Sequence, residues 1–531
     1  MDLIIIGGIS KVKGSQYSLK QKVSLIKDGA LMTYANLQRY FGHNDPTESS
    51  DPYTLHDYNT PYLAGIYLYN FLTKRGINCE LINFLDLEIN KFERLLQQNP
   101  KAIALSTTFL TSIKSVKEVT KIIREYDPVI KIIVGGQLVN NSYLIYQLKD
   151  TDYDTSSCAQ DYFFISSEKY YYEDIDLFIV EDQGEATLYQ LTKAIKNCQD
   201  YSGIPNLAFY KDNRLIFTSR DPEENDFAED LICWDEVPEE YLYPIFPMRG
   251  SRGCPYKCQY CNFPSGKRFR LKGSDILAQE IAALRETEKV RMIRFTDDNL
   301  FLTRRHVEEY CRMIIEVGKG IKWTSFIRAG SITKDNVKLL KDSGCVMAQI
   351  GMESGDRSIL NKMNKKDTPE NYLRVIELLN THGISTQLYF IIGFPGETAK
   401  TIENTIQLLN QFHHDGPAIN FIMVFPFLLA PLSPIYSPEN RQKYNLEGYV
   451  SNWSHNTMNS KQAGKYATEF LFRLENLYPF YGIDELESLE MAKLKKLSQF
   501  RSKVHKAELF GSDPEAIEQM WQELRDVVTA D

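Results

Sequence analysis

No stretch of this 531-residue chain reaches the ~18 uninterrupted apolar residues that a membrane-spanning helix needs. The most apolar run, Phe421 to Leu432, is broken by Pro426 and Pro431. Positive charge is not in excess either. Lys and Arg number 61 against 70 Asp and Glu, a formal net charge of −9, which argues against a general nucleic-acid-binding face. The N-terminus, Met-Asp-Leu-Ile-Ile-Ile, lacks the basic region of a secretory leader. Nine cysteines are an odd number with no framework of paired spacings, which fits a reducing interior rather than a disulfide scaffold. A cytoplasmic protein is expected, with no integral membrane segment and no nucleic-acid partner. No Ser/His/Asp constellation is present.

What is present is an ordinary globular composition, 43% hydrophobic and 25% charged, over a length that implies two or three domains. Apolar runs ending in glycine or polar residues alternate with helical patterns. Leu3–Ile6 precedes Gly7-Gly8, Ala102–Leu105 ends at Ser106, Ile130–Val134 ends at Gly135-Gly136, and Asp176–Val180 comes shortly before Gly184-Glu185. This alternation predicts a doubly wound parallel sheet over residues 1–200, interrupted by a long polar insertion at 10–55 whose role the sequence does not give. Ligands of such sheets bind at the carboxyl ends of the strands. Residues 201–245 read as a linker containing a hairpin. From 246 to 440 the strand–helix alternation resumes and predicts a partial, six-stranded β/α barrel, with reactive groups at the strand ends. Residues 441–531 read as a helical tail that begins at Trp453, and Ser512-Asp-Pro-Glu515 reads as a capping box.

The most informative stretch is Arg249-Gly-Ser-Arg-Gly-Cys254-Pro-Tyr-Lys-Cys258-Gln-Tyr-Cys261. Its C-x3-C-x2-C spacing lets one short loop aim three thiolates at one centre, and three soft ligands suit iron–sulfur or zinc. Structural zinc wants four protein ligands, and no fourth Cys or His is close in sequence. Three ligands on a four-iron cluster leave one iron open.

This loop, with an aromatic residue before its last cysteine, resembles the signature of radical S-adenosylmethionine enzymes. The resemblance implies a 4Fe–4S cluster on Cys254, Cys258 and Cys261, with S-adenosylmethionine on the open iron. It further implies adenine contacts from Tyr260 and Ile391 of Ile391-Ile-Gly-Phe-Pro-Gly-Glu397. Arg328 is expected to pair with the methionine carboxylate, and Glu353 to contact the nucleoside. Phe295-Thr-Asp297-Asp298 resembles the acidic strand end of the same class. The N-terminal half resembles the cobalamin-binding domain that precedes the barrel in one large subclass, which implies cobalamin contacts from Ser106, Thr107, Gly135, Gly136, Gln137, Gly184 and Glu185. Two departures stand out. No D-x-H-x2-G offers a histidine to cobalt, and Asp182-Gln183 occupies a position where the subclass tends to Gly-Glu.

The resemblance therefore implies a cobalamin-dependent radical enzyme that methylates an unactivated carbon of a peptide or small molecule, with electrons from a donor such as flavodoxin or ferredoxin. Three alternatives stand beside it. One is a cyclisation, coupling or rearrangement on the same architecture. The second is a methylthiotransferase, for which the available N-terminal trio is Cys79, Cys158 and Cys198. The third is a non-catalytic cobalamin or iron–sulfur sensor.

Overall fold

The computed structural model describes residues 1–10, 24–42, 61–166, 173–212, 214–228, 231–263, 269–411 and 416–530. The chain divides into two compact units. The first comprises residues 1–13 and 60–243, and the second residues 14–59 and 244–531.

The first unit is built on seven strands: β1 (Leu3–Ile6), β2 (Cys79–Ile82), β3 (Ala102–Ser106), β4 (Lys131–Gly135), β5 (Leu177–Ile179), β6 (Leu207–Lys211) and β7 (Arg214–Phe217). Their order is β2-β1-β3-β4-β5-β6-β7. The first five strands are parallel, and β6 and β7 extend the sheet antiparallel. Every residue of β1, β3 and β5 is buried, as expected for strands covered on both faces. The chain direction across the sheet reverses between β1 and β3, the place where such folds leave a crevice. Residues 207–217 were expected within a linker. They belong to this sheet because the alternating apolar residues of β6 pair back onto β5.

The second unit carries β8 (Ile245–Met248), β9 (Met292–Phe295), β10 (Lys322–Phe326), β11 (Cys345–Glu353), β12 (Ser385–Ile392), β13 (Asn420–Pro426) and β14 (Tyr478–Pro479). These seven strands lie in sequence order, all parallel. The six expected strands are there, and the two-residue β14 adds a seventh at the edge. Helices fall between successive strands. That at Pro369–Thr381 starts with a Thr368 cap and proline in its first turn. That at Ala399–Asn410 starts with a Thr398/Thr401 capping box.

Beyond the barrel the tail is less helical than its spacing suggested. Glu447–Asn459 forms a three-stranded antiparallel sheet that includes Trp453, and helices follow at Ser460–Phe472, Ile483–Ser488, Met491–Phe510 and Pro514–Thr529. The last begins at Asp513 with proline in its first turn but with no side-chain cap. Helical periodicity does not distinguish Trp453 on a pleated surface from Trp453 on a helix, and burial of its ring decides for the sheet.

The described part of the 10–55 insertion, residues 24–42, belongs to the second unit. Leu25, Leu31, Met32 and Leu37 share a core with Leu497, Val504, Trp521, Leu524 and Val528. A buried ion pair fixes this strap. Arg501 meets both carboxylate oxygens of Glu485 at 2.7 Å and also donates to the Met32 carbonyl at 3.1 Å. Glu485 accepts the Tyr34 amide at 2.7 Å, and the Leu25 amide donates to the Tyr481 hydroxyl at 2.8 Å. The Arg501 guanidinium lies 3.8 Å from the Tyr481 ring centre. Removing one member of a buried pair strands the other charge, which costs about 3–5 kcal/mol. Arg501→Met should therefore lower the urea midpoint of the second unit, and the double variant with Glu485→Leu should recover much of the loss.

Candidate functional site

In the second unit the cysteine loop is anchored before it starts. The Asp297 carboxylate, just past β9, accepts the Gly250 amide at 3.0 and 3.2 Å and also accepts the Ser251 amide. On the other side of the same peptide, the Gly250 carbonyl accepts the Lys272 amide at 2.8 Å and lies 2.8 Å from the Tyr310 hydroxyl. A Cβ on Gly250 would stand 2.7 Å from Leu300 and 3.2 Å from Tyr310, so only glycine lets the strand lie this close. Beneath it Lys272 and Glu280 form a fully buried ion pair at 2.7 Å. Burial pushes the Asp297 carboxyl up to about 6, against the opposing pull of its amide donors.

The far side of the loop is clasped as well. The Gln259 amide donates to Met363 O at 2.9 Å, the Ile435 amide to Gln259 O at 2.9 Å, and Asn364 Nδ2 to Lys257 O at 2.7 Å. Held in this way, Cys254, Cys258 and Cys261 line one cavity of about 420 Å³ at the carboxyl ends of the barrel strands. All three are free thiols. Burial pushes Cys254 up, and Cys261 up to about 11. Among the described residues no three His, Cys, Asp or Glu side chains already stand at ligand spacing about one point. The three thiols share the one cavity, and Cys254 and Cys258 both act electrostatically on Cys261.

Tyr260, Arg328, Glu353 and Ile391, all singled out in the sequence, line the same cavity. The Arg328 guanidinium stacks 3.6 Å from the Tyr256 ring centre. Tyr260 donates to Glu353 Oε1 at 2.9 Å, and Lys365 donates to the same oxygen at 3.0 Å. Burial raises the Tyr260 phenol well above its usual range. Glu353 sits at φ +66°, where β11 shifts register against β12. This left-handed conformation is costly for a side-chain-bearing residue, and the Tyr260 and Lys365 contacts oppose the cost. The same lining includes the aromatic side chains of Phe326, Tyr389 and Phe425. Sequence reading missed Lys365, because nothing in Asn-Lys-Met-Asn-Lys365 marks one lysine over another. It also missed Tyr389 and Phe425, whose alternation along β12 and β13 was the available signal.

Behind Ile391 the backbone turns at Gly393, φ +95°. Its amide donates to Glu397 Oε2 at 2.5 Å, and its carbonyl lies 2.9 Å from His455 Nε2. A Cβ there would stand 2.6 Å from Ala463 and 2.7 Å from Trp453.

In the first unit the other expected residues fall at the carboxyl edge of the sheet. The Thr107 hydroxyl donates to Gly135 O at 2.9 Å and accepts the Leu138 amide at 3.2 Å. Gly136, at φ +104°, leaves room where a Cβ would press on Thr107 at 3.1 Å. The Ser106 hydroxyl lies 3.1 Å from that of Thr108, and Gln137 donates to Asn141 at 2.7 Å. Gly184 opens the next helix, Glu185–Lys196, and packs, as Gly135 does, against Ile179. That helix start is filled from within. The Ala186 and Thr187 amides donate to the Glu223 carboxylate at 2.9 and 2.8 Å, and Glu185 accepts Asn225 Nδ2 at 2.9 Å.

Residues 248–409, which include the cysteine loop and most of the barrel, match the family profile described as the Radical SAM superfamily. The second unit therefore contains a radical SAM domain. Two curated relatives extend the similarity. The anaerobic magnesium-protoporphyrin IX monomethyl ester cyclase of Rubrivivax gelatinosus is 26% identical over 48% of this chain and 48% of its own. The bacteriochlorophyllide d C-12(1)-methyltransferase of Chlorobaculum tepidum is 30% identical over 34% of this chain and 41% of its own. The chain spans about half the length of the curated relatives it matches. In fold it is similar to the radical S-adenosylmethionine methyltransferase TsrM of Kitasatospora setae, solved with cobalamin and a [4Fe-4S] cluster. The TM-score is 0.60 at 15% identity, over 88% of this chain and 96% of that one. Both the radical SAM domain and the sheet that precedes it are thus parts of a known architecture. Among the described residues no helix is long and apolar enough to cross a membrane.

Glu397 gives a pH test of the domain. Burial pushes its carboxyl up to about 8 from an ordinary 4.5. The folded chain therefore keeps this proton over a window in which the unfolded chain has lost it. Stability from this residue should be full below pH 4.5 and decline as pH rises to about 8. Denaturant unfolding of Glu397→Gln across that range should show a flatter decline than the wild type.

Proposed function

We propose that the chain is a cobalamin-dependent radical S-adenosylmethionine methyltransferase acting on an unactivated carbon of a small molecule or peptide. The observation that carries this reading is the donor set: three free thiols line one cavity, and no fourth cysteine and no histidine is among its lining residues. That set lacks the fourth Cys or His of the usual structural zinc site and fits a cluster with one open iron. In the first unit, Ser106, Thr107, Gly135 and Gly136 lie at the strand ends, where sheets of this kind bind ligands, which supports the cobalamin reading.

When bound, the cluster with S-adenosylmethionine supplies a carbon-centred radical, and cobalamin supplies the methyl group. The protein's own residues bind, orient and shield. Asp297 and Tyr310 fix the approach of the cysteine loop. Arg328, backed by the Tyr256 ring, presents a planar cation to a carboxylate. Glu353, held by Tyr260 and Lys365, offers an acceptor to a ribose hydroxyl. Ile391, Phe326 and Phe425 cover the reacting region with apolar surface and exclude water. An external one-electron donor, such as flavodoxin or ferredoxin, completes the cycle.

The similarity to a cyclase favours a second reading, ring formation on the same architecture. One experiment separates the two. The anaerobically reconstituted chain, given methyl-labelled S-adenosylmethionine and a tetrapyrrole or peptide panel, should yield a product carrying the labelled methyl. A product that has lost hydrogen without gaining the label would select cyclisation. Reconstitution should give about four irons per chain, and Cys258→Ala should lose most of them. A full iron complement in that variant would defeat the cluster assignment.

A further inference from the structure

The cysteine loop has an outer face as well as an inner one. Cys254, Tyr256 and Cys258 line the cavity, while Pro255 and Lys257, which alternate with them, are exposed. Solvent therefore lies on one side of this stretch and the cavity on the other. The outer face continues onto the helix Arg357–Lys362 and the turn after it. Asn364 Nδ2 donates to Lys257 O at 2.7 Å, and the Gln259 amide donates to Met363 O at 2.9 Å. These bonds set the Lys257 backbone beside the segment that carries Lys362 and Lys366.

Charge on this face runs against the balance of the chain. Acids outnumber bases 70 to 61 overall, yet no Asp or Glu falls between Arg249 and Phe263 or between Arg357 and Lys366. Lys257, Lys362 and Lys366 are all exposed, and none of them enters an ion pair among the described residues. Lys362 donates only to a carbonyl, Gly396 O, at 3.1 Å. The other two cations of the helix and turn do find acids: Arg357 meets Glu370 at 2.6 Å, and Lys365 meets Glu353 at 3.0 Å. Unpaired like charges on one surface repel each other and set up a positive potential that draws in an anionic partner. Their place narrows the partner. A nucleic acid has no reason to lie against the cysteine loop, whereas a redox protein must bring its own centre close to the one it reduces.

We infer that Lys257, Lys362 and Lys366 form the docking surface for an acidic one-electron carrier protein, which delivers its electron through the outer side of the cysteine loop. The inference rests on the cluster assignment made above and adds the place and charge of the partner. With a flavodoxin as carrier, one electron leaves the anionic flavin hydroquinone, which becomes the neutral semiquinone with no proton moved. That electron enters the oxidised [4Fe-4S]2+ cluster, which becomes [4Fe-4S]+.

The test uses the anaerobically reconstituted full chain and a flavodoxin of net negative charge. Wild type should bind it in calorimetry at low salt, with affinity falling as salt rises. Stopped-flow mixing with the hydroquinone should reduce the cluster. Combining Lys257→Glu, Lys362→Glu and Lys366→Glu should weaken binding and slow reduction about tenfold or more, while iron content and the electron paramagnetic resonance signal after dithionite stay as in wild type. Arginine at the same three positions should keep wild-type binding and rate, and glutamine at all three serves if the reversed variant takes up no iron. Unchanged binding and reduction in the reversed variant would overturn the inference, as would displacement of flavodoxin from wild type by an equal concentration of transfer RNA. A wild type that dithionite reduces but flavodoxin neither binds nor reduces would overturn it and leave the cluster assignment standing. A wild type that takes up no iron would overturn both.

Discussion

The radical SAM domain depends on how one buried carboxylate holds one peptide. Asp297 accepts the amides of Gly250 and Ser251, while Tyr310 and the Lys272 amide hold the Gly250 carbonyl from behind. Hydrogen bonds to a charged acceptor contribute about 1.5–3 kcal/mol each, and here they act where the chain leaves β8 for the cysteine loop. Four residues on, the first thiol faces the cavity.

The cavity itself is assembled from separate strand ends. Phe326 and Arg328, Glu353, Ile391 and Phe425 come from the carboxyl ends of four parallel strands or the turns just beyond them, the placement a β/α barrel gives to residues free of its core. Polar and charged groups such as Arg328, Asp298 and Glu353 share the lining with aromatic ones such as Phe326, Tyr389 and Phe425, so a ligand in the cavity meets both. Glu353 shows that this arrangement has a cost. Its left-handed backbone turns the carboxylate to Tyr260 and Lys365, and those two partners are what make the turn sustainable.

Much of this was legible in the chain. The cysteine spacing marked Cys254, Cys258 and Cys261, the alternation of strand and helix gave the barrel, and the resemblance to radical S-adenosylmethionine enzymes added Tyr260, Arg328, Glu353 and Ile391, all of which line one cavity. What could not be read is what depends on contacts between distant residues. Asp297 looked like a strand-end acid, and its role appears only when the strand lies beside Gly250, 47 residues earlier. Lys365 has no local mark. Residues 24–42 lacked a clear period because two very short strands and a seven-residue helix present too few repeats, and their apolar side chains are matched to helices some 450 residues away. Trp453 carried a helical spacing that a small sheet satisfies equally well.

That strap has a consequence for how the protein is made and how it can be rearranged. Its docking partners leave the ribosome some 450 residues later, so Leu25, Leu31 and Leu37 must wait that long before their apolar surface is covered. Nor can the gene be cut cleanly at the junction near residue 244. Exchanging the leading half for that of another protein would carry away a piece of the trailing half, and a working chimera would have to keep residues 24–42 from the parent that supplies the C-terminal helices.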